Sequence, residues 1–460
     1  MKRYRRSPSS LSQFLNGLVL RCYQVILPAS ALSNLFFPNE AHAQLIMKYF
    51  PSELPGYSSD STASVVMHQM VQNIHPGISV GSYIVRPVAS QSFGYNTNIL
   101  AAPHSSGASI ATSASVSVVS NWTRHAIGAS MSVNNTAYPT LSAANQTNWT
   151  AATGGSLNVG RDTVSAGYSH YVLHLSATDL GNFGVSYPVP YSDDDFHLSY
   201  RKNWARFALI PSASYDKFSF GSAGGTSAFA GRDTDALSHQ LETQALQGRF
   251  EVSKGNALVA ILRGTEAQFQ PVNGATPDDY VSAGGFVGVD MRASSVIQYR
   301  ALVGGESRQF IRSSTRTITT PTAEVDVIWM PDRMNTVTLT GQRGLFDPTS
   351  PFSHSQVMST VRVQADHELR RNVFLRGSAG AAVTDSQATG TGTTVRTRRE
   401  TQFTFGVSVN WKVNRDFTAS LSYSHISSYM KHGVPSVTED SVGRATFTSN
   451  TIMVGLSFAR

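Results

Sequence analysis

Residues 450–460 read NTIMVGLSFAR, which places Ile452, Val454, Leu456 and Phe458 on one side and Met453, Gly455 and Ser457 on the other. Successive side chains of an extended chain point to opposite faces, so this is a strand with one greasy face and one small, mostly polar face. The rhythm recurs upstream. FTASLSYS (417–424) sets Phe417, Ala419, Leu421 and Tyr423 against Thr418, Ser420, Ser422 and Ser424. FTFGVSVNW (403–411) sets Phe403, Phe405, Val407, Val409 and Trp411 against Thr404, Gly406, Ser408 and Asn410. Where charges occur they fall opposite the large apolar residues: Asp290 and Arg292 opposite Val287, Val289 and Met291, and Glu324 and Asp326 opposite Val325, Val327 and Trp329.

The connections alternate in length. Short polar turns are expected near 121–126, 160–163, 202–205, 253–256, 292–295, 330–335, 368–372 and 413–416. Long Gly/Ser/Thr/Pro/Asn-rich loops are expected near 97–108, 139–147, 177–193, 221–238, 271–278, 311–321, 346–354, 385–398 and 430–443. Eight turns and nine loops join 18 strands, and strict alternation of short and long connections is the habit of an up-and-down transmembrane barrel. The sequence therefore predicts an all-β, antiparallel, up-and-down transmembrane β-barrel of about 18 strands, with 16 the next choice, over residues 81–460. Short turns would face the periplasm and long loops the exterior. A soluble β-sandwich or propeller also alternates, but here the apolar face recurs on strand after strand without core partners to cover it. No repeat of fixed period is visible either. Aromatic residues near the strand ends (Phe93, Tyr95, Trp122, Tyr138, Trp149, Trp204, Trp329, Trp411 and Tyr423) fit the girdles of a membrane barrel.

Of the 460 residues, 41% are hydrophobic and only 14% charged, and the abundance of Ser, Thr, Gly and Val speaks against a helical enzyme. Residues 1–43 carry Lys2, Arg3, Arg5 and Arg6, then an apolar region, then Ala41-His42-Ala43. This is the order of a secretory signal peptide cleaved before Gln44. The one cysteine, Cys22, lies inside it. Its removal takes five basic residues and one acid, lowering the formal charge from +7 to +3. The remaining Arg and Lys are scattered rather than gathered on one face, so no nucleic-acid partner is expected. Residues 44–80 lack the two-residue rhythm and are read as a largely irregular periplasmic extension, with a short helix over 61–73.

The stretch HPGISVGSYIVRPVASQSFGYNTNIL (75–100), followed by SNWTRHAIGASMSV (120–133) and later PVPYSDDDFHLSY (188–200), resembles the putative beta-barrel porin 2 family of Gram-negative outer-membrane proteins. The matching positions are Gly77, Val80, Gly81, Arg86, Pro87, Gly94, Tyr95 and Asn98. The resemblance covers 75–460. It implies an outer-membrane barrel acting as a porin or an export barrel, in some members encoded with surface-polysaccharide genes, and it brings no catalytic residues.

Three features invite chemistry. Gly77-Ile-Ser-Val-Gly81 matches G-x-S-x-G, but a nucleophile elbow needs a strand, a sharp turn and a helix, and nothing helical follows Ser79. Asp193, Asp194 and Asp195 offer oxygen ligands without the spacing of a calcium loop, and fit a solvated loop end or a polar strand edge better. The histidines show no metal-ligand spacing. No enzyme activity, metal or cofactor is expected.

What remains is the lumen. Alternation turns Arg86, Arg249, Glu251, Asp290, Arg292, Gln298, Arg300, Glu306, Glu324, Asp326, Arg362, Gln364, Asp366 and Arg376 inward, because an Arg or Lys on the lipid face at the midplane costs about 2–4 kcal/mol. Asp290/Arg292, Gln298/Arg300 and Glu324/Asp326 sit on three consecutive strands and can form a cross-strand ladder, either an internal lattice or a charged constriction. The expected partners are outer-membrane lipid, the barrel assembly machinery during folding, and small hydrophilic solutes or a polysaccharide strand passing through. The alternative is a closed structural or adhesive barrel that binds glycans or partners through its outer loops.

Overall fold

The computed structural model describes residues 77–181, 187–221, 234–271, 277–313, 316–350, 353–388, 396–431 and 446–460. The segment read as a signal peptide and the extension up to residue 76, with its expected helix, lie outside the described residues. The strands are β1 (Ile78–Val80), β2 (Tyr83–Asn96), β3 (Gly107–Ser120), β4 (Ala126–Ala137), β5 (Gln146–Val159), β6 (Asp162–Leu175), β7 (Val189–Asn203), β8 (Phe207–Phe220), β9 (His239–Ser253) and β10 (Asn256–Phe269). They continue as β11 (Tyr280–Arg292), β12 (Ile297–Phe310), β13 (Ile318–Trp329), β14 (Asn335–Phe346), β15 (Ser353–Arg370), β16 (Val373–Ala388), β17 (Arg396–Lys412), β18 (Phe417–Lys431) and β19 (Phe447–Ala459).

From β2 to β19 every strand pairs antiparallel with its neighbours in sequence, and β19 closes on β2 from Thr451↔Asn96 to Ala459↔Val88. The Arg460 N–H then donates to the Pro87 carbonyl at 3.2 Å. Closure leaves no strand edge facing hydrocarbon. These are the eighteen expected strands, with turns and loops at the expected places.

The addition is β1. The missing two-residue rhythm assigns residues 78–80 to an irregular extension. They instead pair with β2 in a hairpin turned at Gly81-Ser82, with Ile78↔Val85 and Val80↔Tyr83. The cause lies in the closure: β19 covers β2 only from Val88 upward, so the backbone of residues 83–85 has an open edge, which β1 occupies. Gly81 supplies the positive φ of 58° that the tight turn requires. Three residues are too few for alternation to show.

The outer surface carries the greasy faces. Val454 is 58% and Leu262 65% exposed, and Phe93, Val287, Val303, Phe405 and Leu421 stand out with them. In a closed barrel such a band faces lipid. Trp122, Trp204, Trp329 and Trp411 are exposed at the rim of short turns, where Trp204 packs on Phe207 at 5.4 Å and Trp122 on Tyr83 at 5.9 Å. Trp149, near the long-loop end of β5, lies on the outer face as well, half-buried against the His170 ring at 4.9 Å.

One seam is shorter than the rest. Pairing between β13 and β14 ends at Ala323↔Arg343, while β14 stays bonded to β15 up to Phe346↔Gln356. Above that point the end of β14 leaves the wall, which brings Leu345 into a buried cluster with Phe310 and Ile318. The residues that follow are carried into the mouth.

Candidate functional site: the lumen and its long-loop mouth

All fourteen residues assigned inward by alternation lie on the strand faces opposite the exposed apolar band, and registers bring many of them together. Asp290 is opposite Arg300 and Arg300 opposite Asp326, so one member of each of the three predicted pairs meets in a ladder across β11, β12 and β13. Arg249 joins it from β9, donating to Asp290 Oδ2 at 2.6 Å, with Arg300 3.7 Å from the same oxygen. Arg292 is opposite Gln298. Glu324 faces Leu302 on one side and Gln342 on the other. Glu306 accepts from Ser282 Oγ at 2.9 Å and lies 3.8 Å from Arg263. A second group forms on β15 and β16: Arg376 Nε donates to Asp366, which also accepts from Gln364 Nε2 at 2.8 Å. Arg362 is on the same inner face, opposite Thr340 and Gly380. Glu251 and Arg86 stand apart, opposite Ala257 and Ser117 near the short-turn rim. Opposite charges at hydrogen-bond distance largely cancel each other's field at longer range.

The aspartates at 193–195 lie within β7 rather than at a loop end. Alternation divides them. Asp193 and Asp195 face inward, while Asp194 shares the outer face of Phe196 and accepts from Tyr168 Oη at 2.6 Å and pairs with His170 Nδ1 at 2.7 Å. The three carboxylates therefore cannot converge on one ion. Ser79 lies mid-strand in β1, paired with Ile84, which is not the strand-to-helix corner of a nucleophile elbow.

The mouth holds what the sequence did not reveal. Inward residues at the upper ends of β6 to β14 pack into an apolar cap that includes Leu175, Tyr191, Phe218, Phe269, Tyr280 and Phe310. Within it is a buried polar knot. Asp347, 4% exposed, accepts from Tyr280 Oη at 2.6 Å, pairs with Arg308 Nη1 at 3.0 Å and lies 3.5 Å from His239 Nε2. Arg308 stacks over the Tyr280 ring at 3.8 Å, and His239 is sandwiched between Phe218 and Phe269 at 4.7 and 4.6 Å. Burial raises the Asp347 carboxyl, but the Arg308 charge and the contacts from His239 and Tyr280 overcome it and hold the group well below the usual carboxylate range. Continuing the alternation two residues past Glu306 would have found Arg308. Nothing in the sequence marks Asp347, because its partners come from three distant strands.

A strap crosses the same mouth. Residues 176–181, following β6, are held to the far side of the barrel: Gly181 N–H donates to Glu400 Oε2 at 3.0 Å and Gln402 Nε2 donates to the Thr178 carbonyl at 3.1 Å, both on β17. Leu180 is buried with Phe346 and Met358. Glu400 is fixed in turn by Ser428 Oγ at 2.6 Å.

Strap and cap leave two unlike walls. From β9 to β16 the inner face is charged; Leu302 is 1% exposed with Val259, Ile261 and Phe286 buried beside it, while Asp290, Arg300, Asp326, Arg362 and Arg376 are half-exposed. From β18 through β19 and β2 to β6 the inner face is mostly Ser, Thr, Asn, Gly and Ala, with Val88, Ile426 and Met453 among the exceptions and Tyr171, Leu173 and Leu175 at the top of β6. Ser90, Ser113, Ser115, Ser132 and Thr150 are each half-exposed toward the lumen. Arg86 is the one cation or carboxylate among the described inward residues of that arc.

Among solved structures, the chain is similar to Acinetobacter baumannii OccAB3 (10% identity, TM-score 0.44, covering 83% of this chain and 100% of that one). It is similar also to the outer membrane protein OpdK of Pseudomonas aeruginosa (11%, 0.42, 82% and 98%) and to the FrpB iron transporter of Neisseria meningitidis (8%, 0.44, 85% and 82%). A comparison with curated proteins finds no match. The model of the family described as putative beta-barrel porin 2 matches residues 75–460, a range that takes in every described residue; with its closed 18-stranded barrel in the outer membrane, the protein belongs to that porin-like family.

Proposed function

We propose that the protein is a passive pore for small hydrophilic solutes. The observation that carries this reading is the half-exposed inner face of β2 to β5, where an inward side chain can meet water only if the lumen is wet. The lattice of paired charges supports a stiffening role for the opposite wall, whose ions satisfy one another rather than a solute. Reconstitution into planar bilayers tests the proposal: stepwise conductance is expected, and a membrane that stays silent with correctly folded protein overturns it. The cap favours one further reading, a closed barrel binding glycans through its outer loops. Glycan binding by the intact barrel without conductance would select it.

A further inference from the structure

Resting on the pore reading above, we infer that the permeation path runs off-centre, along the hydroxyl-lined arc from β18 to β6, and that it selects uncharged polyhydroxylated solutes such as sugars and polyols over charged solutes of the same size. Three observations converge. The strap at 176–181 spans from β6 to β17 and cuts the mouth along a chord. The cap fills the mouth on the β7 to β14 side of that chord. The arc left on the other side carries no inward carboxylate among the described residues, and its inner face is largely half-exposed along β2 to β5.

The chemistry of that arc suits a polyol. A Ser or Thr hydroxyl both donates and accepts, and rotates to do either, so a solute bearing hydroxyls exchanges water for wall contacts with little net change. Ser90 and Ser113 meet at 2.6 Å and Ser132 and Thr150 at 2.7 Å, each pair bridging adjacent strands. The result is a lateral row of hydroxyls rather than isolated ones. A charged solute entering beside this wall loses part of its hydration and meets no counter-charge, while the ions across the lumen are engaged with one another.

The test uses the full-length protein in lipid vesicles and two six-carbon solutes of one skeleton, sorbitol and potassium gluconate, with valinomycin present to dissipate the diffusion potential. Sorbitol is expected to enter several-fold faster than gluconate. At low ionic strength Ser115→Lys is expected to speed gluconate, and Ser115→Asp to slow it, by about threefold, as for a unit charge roughly 7 Å away in a water-like dielectric. Sorbitol entry should change little in either variant. Asp290→Asn, on the opposite wall, should leave the ratio near that of the wild type. If both solutes enter at equal rates, or gluconate enters faster, the pore stands and the neutral path is wrong. The neutral path is equally wrong if Asp290→Asn moves the ratio and both Ser115 variants do not. If neither solute enters and no conductance appears, the pore reading itself fails.

Discussion

Replacing Asp347 by Ala removes the centre of the buried knot at the mouth. Tyr280 loses the acceptor of its 2.6 Å hydrogen bond and Arg308 loses a partner at 3.0 Å. Arg308 is 3% exposed, so water cannot replace that carboxylate. Breaking one side of a buried ion pair costs about 3–5 kcal/mol. The lower end applies here, because Arg308 keeps contacts to Ser355 Oγ at 3.1 Å and the Phe346 carbonyl at 3.4 Å. The double variant Arg308→Met with Asp347→Leu removes both charges together and should lie within about 1–2 kcal/mol of the wild type. Urea unfolding in lipid vesicles measures both. The sign with pH follows from the depressed carboxyl: its contribution is complete above the ordinary aspartate value and disappears as pH falls toward the lower folded one. The advantage of wild type over Asp347→Asn should therefore stay constant from pH 7 to about 5 and shrink below about pH 4. A single variant within about 0.5 kcal/mol of the wild type, or a double variant no better than the single, would refute the reasoning.

Three further outcomes follow from the fold. Leu421→Arg puts a cation on the lipid face and should destabilise the barrel by about 2–4 kcal/mol if near the midplane, whereas Ser422→Arg, facing inward, should cost less in the same unfolding assay and alter conductance instead. Glu400→Ala together with Gln402→Ala unties the strap from β17, so single-channel steps should become larger or noisier; unchanged steps would mean that the strap does not bound the path. Deleting residues 450–460 removes the strand that pairs with β2 from Thr451 to Ala459. Such a chain should fail to acquire heat-modifiable migration on gels, and normal migration would show that closure does not depend on β19.

The lumen divides sharply between what was legible and what was not. Arg249, Asp290, Arg300 and Asp326 could be placed inward from one strand at a time, because inward and outward are local properties of alternation. The meeting of Asp290 with Arg300 was legible as well, since the short turn between β11 and β12 sets their register; a long loop joins β12 to β13, and Arg249 reaches Asp290 from two strands away, a contact that alternation does not give. Arg308, Tyr280, His239 and Asp347 were missed as a group: they come together only where the end of β14 leaves β13 and turns inward.

That the chain is a barrel, how many strands close it and which face of each meets lipid are written residue by residue, in period-two patterning and in the lengths of the connections. Other features wait for the closed sheet: β1 filling the open edge of β2, a strap reaching from β6 to β17, and a mouth packed on one side and left hydroxyl-lined on the other. Those outcomes depend on contacts between residues far apart along the chain, such as Gly181 and Glu400 at a separation of 219. No local pattern encodes a distance that exists only once the sheet has curved and closed.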